Sequence, residues 1–288
     1  MITSQLPKGM CKYLFTLALA AAFVAGAAQA TAQDWKMPRT AAGKPDLNGV
    51  WRSEGRHNYN IEPHSARAGM AMMAGPLGPI PAKEVVKLGS IAAVPASLGI
   101  VEGGAIPYKP EALEQRNTNA ENFLTMDPEV KCYLPGVPRA NYMPYAFQIF
   151  HNDDALFFAY EYAGAVRNVL LQDPGPAPID SWMGQSWLRW DGDTAVVTVT
   201  DMNGETWLDR AGNYIGYGAT VTERYKLTGP NTIAYEATIE NPDVFTKPWK
   251  IAYTLYRMEG KDAQLQQFKC VEFVEELMYG HLRKNPVE

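Results

Sequence analysis

The sequence lacks the short motifs that mark most familiar enzyme classes. It contains no H-E-x-x-H, no C-x-x-C, no phosphate-binding G-x-x-x-x-G-K-[ST], no G-x-G-x-x-G and no G-x-S-x-G. The first two absences argue against a dedicated metal site, the next two against a nucleotide-binding loop, and the last against a common serine hydrolase. We therefore expect neither a metal nor a cofactor.

Basic residues and histidines are also scarce. The 288 residues include 26 Lys and Arg against 31 Asp and Glu, and only 4 His. A nucleic-acid-binding protein needs a basic face, so we expect no nucleic-acid partner. The composition, 47% hydrophobic and 20% charged, is that of an ordinary globular protein and excludes a disordered or fibrous one.

The N-terminal residues have the layout of a secretory signal peptide. Two lysines precede an apolar run over residues 13–26, and small residues supply a cleavage site near Ala30 or Ala32. The run is shorter than the roughly 20 apolar residues that a membrane-spanning helix needs. We predict that residues 1–30 are a cleaved signal peptide. The protein would then be periplasmic or secreted, without stable membrane insertion.

Cysteine is rare as well, since only 3 are present and Cys11 lies in the predicted leader. The remaining pair, Cys132 and Cys270, favours a disulfide in an exported protein. A reactive thiol is the alternative, but neither cysteine has an adjacent histidine to activate it. We therefore predict a Cys132–Cys270 disulfide. By closing a long loop it would stabilise the fold by on the order of 4–5 kcal/mol.

The mature chain divides into three stretches that differ in composition and in residue pattern. Residues 31–53 are a leading segment and a first strand that carries a Gly-x-Trp triplet. Residues 54–141 are rich in Gly, Pro, Met and Ala, and one helix is predicted near residues 110–123, where a proline suits the first turn. We expect this irregular stretch to wrap the outside or cover an opening. Residues 142–288 are predicted to form a β-barrel.

Alternating apolar and polar residues, separated by turn signals, predict β-strands almost to the C-terminus. The predicted strands are 145–151, 155–162, 165–172, 185–190, 194–201, 217–227, 232–240, 249–257 and 264–275. Together with the Trp-containing strand they number about ten. Successive hairpins favour an all-β fold, an antiparallel up-and-down barrel, over a sandwich.

Two charged side chains fall on apolar strand faces. Glu223 shares its face with aromatic and aliphatic residues, and Tyr235 lies on an apolar face of the next strand. With a turn at residues 163–164, Tyr160 would face Arg167 and place it among aromatic rings. A charge there costs several kcal/mol unless it is paired. The two charges therefore form a structural ion pair, meet a polar ligand, or lie at an edge open to water.

Loop segments between the strands carry polar and aromatic side chains that suit the rim of a pocket. Pro and Gly fix the backbone of one such segment, and another places a Trp beside a carboxylate and a guanidinium. The predicted rim residues are Arg139, Trp182, Gln185, Trp207, Asp209 and Arg210. Asp209 and Arg210 could equally form a surface pair that fixes their loop.

Several motifs follow one another along the mature chain. They include Gly43-Lys44-Pro45-Asp46-Leu47-Asn48-Gly49-Val50-Trp51, Cys132 to Arg139, Trp182-Met183-Gly184 and Thr206 to Gly212. Together they resemble a large family of exported bacterial proteins, most of them uncharacterised. Many members carry His where this chain has Gln185, and another near Ala219, so the resemblance implies no His-based mechanism here. The Gly-x-Trp strand and the meander also resemble calycin barrels such as lipocalins.

The chemistry left by these exclusions is acid–base catalysis in an apolar pocket. Desolvation favours the protonated form of a buried carboxylate, which suits it to general acid or base catalysis, and a guanidinium can hold a developing oxyanion. The predicted catalytic residues are Glu223, Arg167 and Tyr160. The predicted substrate-binding residues are Arg139, Trp182, Gln185, Trp207, Asp209, Arg210 and Tyr235.

Three functions stay open on the sequence. The first is a cofactor-free lyase, isomerase or hydratase that acts on an apolar or aromatic small molecule. The second is a periplasmic binding or carrier protein with the same pocket and no turnover. The third is an envelope interaction protein that uses the Met- and Pro-rich segment. The oligomeric state is left open.

Overall fold

The computed structural model describes residues 35–68, 72–74, 79–81 and 93–279. The predicted signal peptide lies outside these residues. Most of the regular structure described is β, and its centre is a closed barrel of nine strands. Among the described residues, no helix combines the length and the apolar character needed to cross a membrane.

Strands and helices are numbered in chain order. The barrel strands are β1 Gly49–Ser53, β6 Phe147–His151, β7 Leu156–Tyr160, β8 Val166–Leu170, β9 Gln185–Asp191, β10 Thr194–Thr200, β11 Thr220–Gly229, β12 Thr232–Glu240 and β13 Trp249–Arg257. Outside it, β2 Arg67–Ala68 pairs with β5 Ala93–Val94, and β3 Met72–Ala74 pairs with β4 Pro79–Pro81. The helices are α1 Pro110–Glu121, which is the helix expected near residues 110–123, α2 Phe123–Met126 and α3 Val274–Tyr279.

The order around the barrel is β1-β13-β12-β11-β10-β9-β8-β7-β6, and β6 returns to β1. The predicted all-β barrel is confirmed, but two details of the prediction are corrected. The strands number nine rather than about ten, and β8 pairs with β9 in parallel. The connection from β8 to β9 contains three prolines, at positions 174, 176 and 178. Since proline has no N–H to give to a sheet, this stretch cannot return as a hairpin strand.

The last predicted strand, 264–275, is wrong. This stretch forms no strand and leads into α3. The edge of β13 that it would have needed is occupied by β1, which pairs with both β13 and β6 and so closes the barrel. At this closure the guanidinium of Arg257 lies 4.2 Å from the centre of the buried Trp51 ring, and Trp51 Nε1 donates to the carbonyl of Leu47 at 3.0 Å.

The predicted register between β7 and β8 is also wrong. Arg167 faces Phe158 rather than Tyr160, because residues 161–165 form a longer loop that includes a single 3-10 turn. Tyr160 closes this loop by donating its N–H to the carbonyl of Ala165 at 2.9 Å. A slip of two residues keeps every side chain on its original face, so Arg167 still points into the barrel.

The predicted disulfide is confirmed. Cys132 and Cys270 are bonded, with their Cα atoms 5.6 Å apart and a sequence separation of 138 residues. The bond ties the segment between β1 and β6 to the segment after β13. The two segments are also joined by a backbone hydrogen bond, in which the N–H of Phe273 donates to the carbonyl of Val130 at 2.8 Å.

Candidate ligand-binding site

A fully buried carboxylate organises the barrel interior. Glu223 on β11 has no exposed surface, and its Oε1 atom accepts three hydrogen bonds. Tyr235 Oη donates at 2.7 Å, Tyr225 Oη at 2.9 Å and Asn141 Nδ2 at 2.7 Å. Burial and the charge of Glu223 raise the pKa of Tyr225 and of Tyr235 well above the ordinary tyrosine value. Both hydroxyl groups therefore stay protonated and act as neutral donors.

The other carboxylate oxygen forms an ion pair with Arg167 of β8. Arg167 Nη2 donates to Glu223 Oε2, and Arg167 Nε donates to Ser186 Oγ at 2.8 Å. Burial opposes the charge on Arg167, but the attraction of Glu223 outweighs it and raises the pKa of Arg167 well above its ordinary value. The guanidinium therefore stays charged. It also lies 5.3 Å from the centre of the Phe158 ring.

The structure thus brings together the three predicted catalytic residues. Tyr160 Oη donates to Asn141 Oδ1 at 3.0 Å, so one amide side chain links Tyr160 to Glu223, which in turn binds Arg167. The strand periodicity placed these side chains inward. Asn141 and Ser186 were not predicted, because Asn141 comes from a short 3-10 turn just before β6 and Ser186 meets Arg167 only through the parallel pairing of β8 with β9.

A cavity of about 690 Å³ lies along the parallel strands. We call it the β8–β9 cavity. Residues of β8, of the connection 177–184 and of the start of β9 form most of its lining, among them Val166, Arg167, Leu170, Trp182, Gln185 and Ser186. Glu223 does not line it. Arg167 therefore belongs both to the interior network and to the cavity lining.

The connection is held so that Trp182 and Gln185 stay at the cavity. Gly184 between them has φ +65°, and a Cβ atom there would lie 2.5 Å from the Thr200 carbonyl oxygen, so only glycine fits. Gln185 Nε2 donates to the Gly175 carbonyl at 2.7 Å. The Trp182 ring lies 5.1 Å from the ring of Tyr133.

Two predicted rim residues, Arg139 and Arg210, instead form a buried ionic cluster. Arg139 donates to Asp127 at 2.7 and 2.9 Å and to Glu129 at 2.6 Å. Arg210 donates twice to Glu129 at 2.9 Å. Burial would raise the pKa of Glu129, but the two guanidinium groups lower it below its ordinary value. These contacts give both arginines a structural role.

Asp209 is also buried and fixes its own loop. It accepts hydrogen bonds from the backbone N–H of Ile61 at 2.9 Å, the N–H of Ala211 at 2.9 Å and Asn213 Nδ2 at 2.8 Å. Burial raises its pKa to about 6. Asp209 is therefore neither at a rim nor part of a surface pair, since its predicted partner Arg210 binds Glu129 instead.

The last predicted rim residue, Trp207, is buried and pairs with Tyr214 through an isolated bridge. Trp207 and Trp182 both line a second, smaller cavity of about 320 Å³. In the described part of the chain, no three His, Cys, Asp or Glu side chains gather in a way that could hold a metal ion.

Comparison with known proteins adds no functional information. No protein-family model, no curated protein and no solved structure matches the chain. The resemblance to exported bacterial proteins therefore stays a prediction.

Replacing one partner of the buried Arg167–Glu223 pair should destabilise the protein more than replacing both partners together. Glu223→Gln or Arg167→Met alone leaves one buried charge unpaired and should lower the free energy of unfolding by about 3 kcal/mol or more. The double variant should lose clearly less free energy of unfolding than the two single variants lose together. Urea unfolding of the three variants measures this coupling, and additive losses would contradict it. The exposed pair Arg39–Asp193, whose atoms lie 2.8 Å apart, is the control and should show little coupling.

The raised pKa of Asp209 predicts a pH dependence of stability. The folded pKa of about 6 exceeds the ordinary value of 3.8, so the folded state binds this proton more tightly. Its contribution to stability therefore falls as pH rises from about 4 to about 6. Relative to Asp209→Asn, the wild-type free energy of unfolding should drop by about 2 kcal/mol between pH 4 and 7. Urea unfolding at each pH tests this, and a constant or rising difference would refute it.

Proposed function

We propose that the protein binds a small apolar molecule in the β8–β9 cavity without transforming it, as an exported binding or carrier protein. The observation that carries this proposal is the lining of the cavity. Exposed aliphatic side chains surround it, while the partly or fully exposed side chains of Asn168, Gln185 and Asn203 supply polar groups. Small-molecule sites in proteins combine apolar walls with a few convergent polar groups in this way.

The size and the exposed apolar surface support the proposal. A volume of about 690 Å³ lies within the range of roughly 300–1,000 Å³ typical of ligand pockets. Val166, Leu170 and Ile179 are 59%, 42% and 79% exposed and all line this one cavity. Exposed apolar side chains that cluster in one patch often mark a binding site, whereas singly exposed ones are ordinary on protein surfaces.

The position of Glu223 favours binding over catalysis. Both of its oxygens are engaged by buried partners, and it does not line the cavity. A general acid or base must come within hydrogen-bond reach of its substrate. In a cofactor-free lyase or isomerase, Glu223 would therefore have to leave its ion pair with Arg167 in order to contact the substrate. A carrier requires no such rearrangement.

The disulfide is typical of oxidising compartments and agrees with the export that the predicted signal peptide implies. An envelope interaction role would depend on the Met- and Pro-rich segment. That segment lies largely outside the described residues, so this role rests on composition alone.

Binding can be tested with the neutral fluorescent probe N-phenyl-1-naphthylamine, whose emission rises in apolar surroundings. We expect saturable binding to the wild-type protein. Leu170→Asp places a charge in the cavity wall and should raise the dissociation constant of the probe at least tenfold, a loss of about 1.4 kcal/mol. Leu171 is the matched control: it is adjacent and 43% exposed against 42% for Leu170, yet it does not line the cavity.

Leu171→Asp should therefore bind the probe like the wild-type protein. Equal effects of the two variants, or no effect of Leu170→Asp, would contradict the proposed site. Far-ultraviolet circular dichroism of both variants establishes that the barrel is intact.

A further inference from the structure

One stretch of β8 has a backbone edge that no neighbouring strand uses. β9 pairs with β8 only at the positions of Val169 and Leu170. The chain just before β9 turns away toward the end of β10, where the N–H of Ser181 donates to the carbonyl of Asp201 at 3.0 Å. Among the described residues, no strand therefore lies beside residues 166–168 on that side of β8.

The pairing with β7 shows which backbone groups of β8 face this open side. The N–H of Tyr160 donates to the carbonyl of Ala165 at 2.9 Å, and the antiparallel register continues from there along β8. Backbone groups in an antiparallel pair alternate in direction, so those of Arg167 also face β7, whereas those of Val166 and Asn168 face the open side. Within the described part of the chain, the N–H of Asn168 and both backbone groups of Val166 have no hydrogen-bond partner.

The β8–β9 cavity runs along this open edge. Val166, Arg167 and Asn168 all line it. Because the side chain of Arg167 is buried and points into the barrel, its place in the lining means that the cavity borders the backbone of β8. Three residues of an extended chain span about 10 Å, which matches the open edge of residues 166–168. Unpaired backbone groups at such an edge can bind an added strand.

The side chains beside the edge favour an apolar and uncharged strand. Val166, Leu170 and Ile179 are exposed and line the cavity. Side chains of paired strands lie about 5 Å apart, so these aliphatic groups would contact the side chains of an added strand. Apart from the buried Arg167, the only charged residue among the described lining residues is Asp180, which would repel a carboxylate.

We infer that the ligand of the β8–β9 cavity is a short apolar peptide, which binds in extended form as an added strand on residues 166–168 of β8. This inference rests on the proposed function and names its ligand class. The Val166 carbonyl accepts a hydrogen bond from an N–H of the peptide, and the N–H groups of Val166 and Asn168 donate to carbonyls of the peptide. The parallel seam thus gives the barrel a short strand edge, which a barrel closed by full-length pairings lacks.

The inference can be tested with two matched peptides that displace N-phenyl-1-naphthylamine. One is the tripeptide Val-Leu-Val with an N-acetyl and a C-terminal dimethylamide group, and the other is the same peptide methylated on its three backbone nitrogens. Methylation makes the peptide more apolar but removes its N–H donors. We expect the unmethylated peptide to bind at least tenfold more tightly, because the methylated one leaves the Val166 carbonyl unpaired. Apolar contact alone would give the methylated peptide equal or tighter binding.

Two variants assign this preference to the strand edge. Val166→Pro and Val166→Ala both shorten the side chain, but only proline removes the N–H. Proline is tolerated at the first residue of a strand, and Ala165 before it has φ −60° and ψ 143°, which suits a residue that precedes proline. We expect the unmethylated peptide to bind Val166→Pro at least fivefold more weakly than Val166→Ala, while N-phenyl-1-naphthylamine binds the two variants equally.

Amide hydrogen exchange of the wild-type protein makes the same test without a variant, should Val166→Pro fold poorly. Saturation with the unmethylated peptide should slow exchange at Val166 and Asn168 at least tenfold, because both amides gain an acceptor. The amide of Arg167, which faces β7, is the internal control and should keep its rate. Unchanged exchange at Val166 and Asn168 would overturn the inference.

The outcomes separate this inference from the proposed function. Equal or tighter binding of the methylated peptide overturns the added strand while the cavity stands as a binding site. The same holds if neither peptide displaces the probe although Leu170→Asp weakens its binding. If the wild-type protein does not bind the probe, or Leu170→Asp has no effect on it, the proposed function fails and this inference fails with it.

Discussion

The ion pair between Arg167 and Glu223 is the constraint on which the rest of the site depends. Each charge is buried to at least 97%, and neither could remain there alone without a large loss of stability. The pair is held by Tyr225, Tyr235 and Asn141 on the carboxylate side and by Ser186 on the guanidinium side. The barrel interior is therefore built around one satisfied carboxylate and its guanidinium partner.

The parallel pairing of β8 with β9 places the cavity beside this network. The two strands share only two register partners, Val169–Ser186 and Leu170–Trp187, and the proline-rich connection lies beside them instead of forming a hairpin. The cavity forms at this irregular seam, where Arg167 and Ser186 meet exposed aliphatic side chains. The irregular part of the barrel, rather than its packed interior, thus carries the candidate function.

Much of the fold followed from local patterns in the sequence. Two-residue periodicity placed Glu223 and Arg167 inside, and β12 and β13 begin and end as predicted, because alternation against a core is a local signal. The parallel seam and the closure by β1 depend on pairings between distant segments, which a single sequence does not specify. For the same reason Arg139 and Arg210 were assigned to a rim, since their partner Glu129 is recognisable only in three dimensions.

The most direct test of the central claim is a crystal structure of the protein with N-phenyl-1-naphthylamine. We expect the probe in the β8–β9 cavity, in contact with Leu170 and Trp182, with the buried Arg167–Glu223 pair unchanged. A probe located elsewhere on the barrel, or a structure with no bound probe, would contradict this expectation.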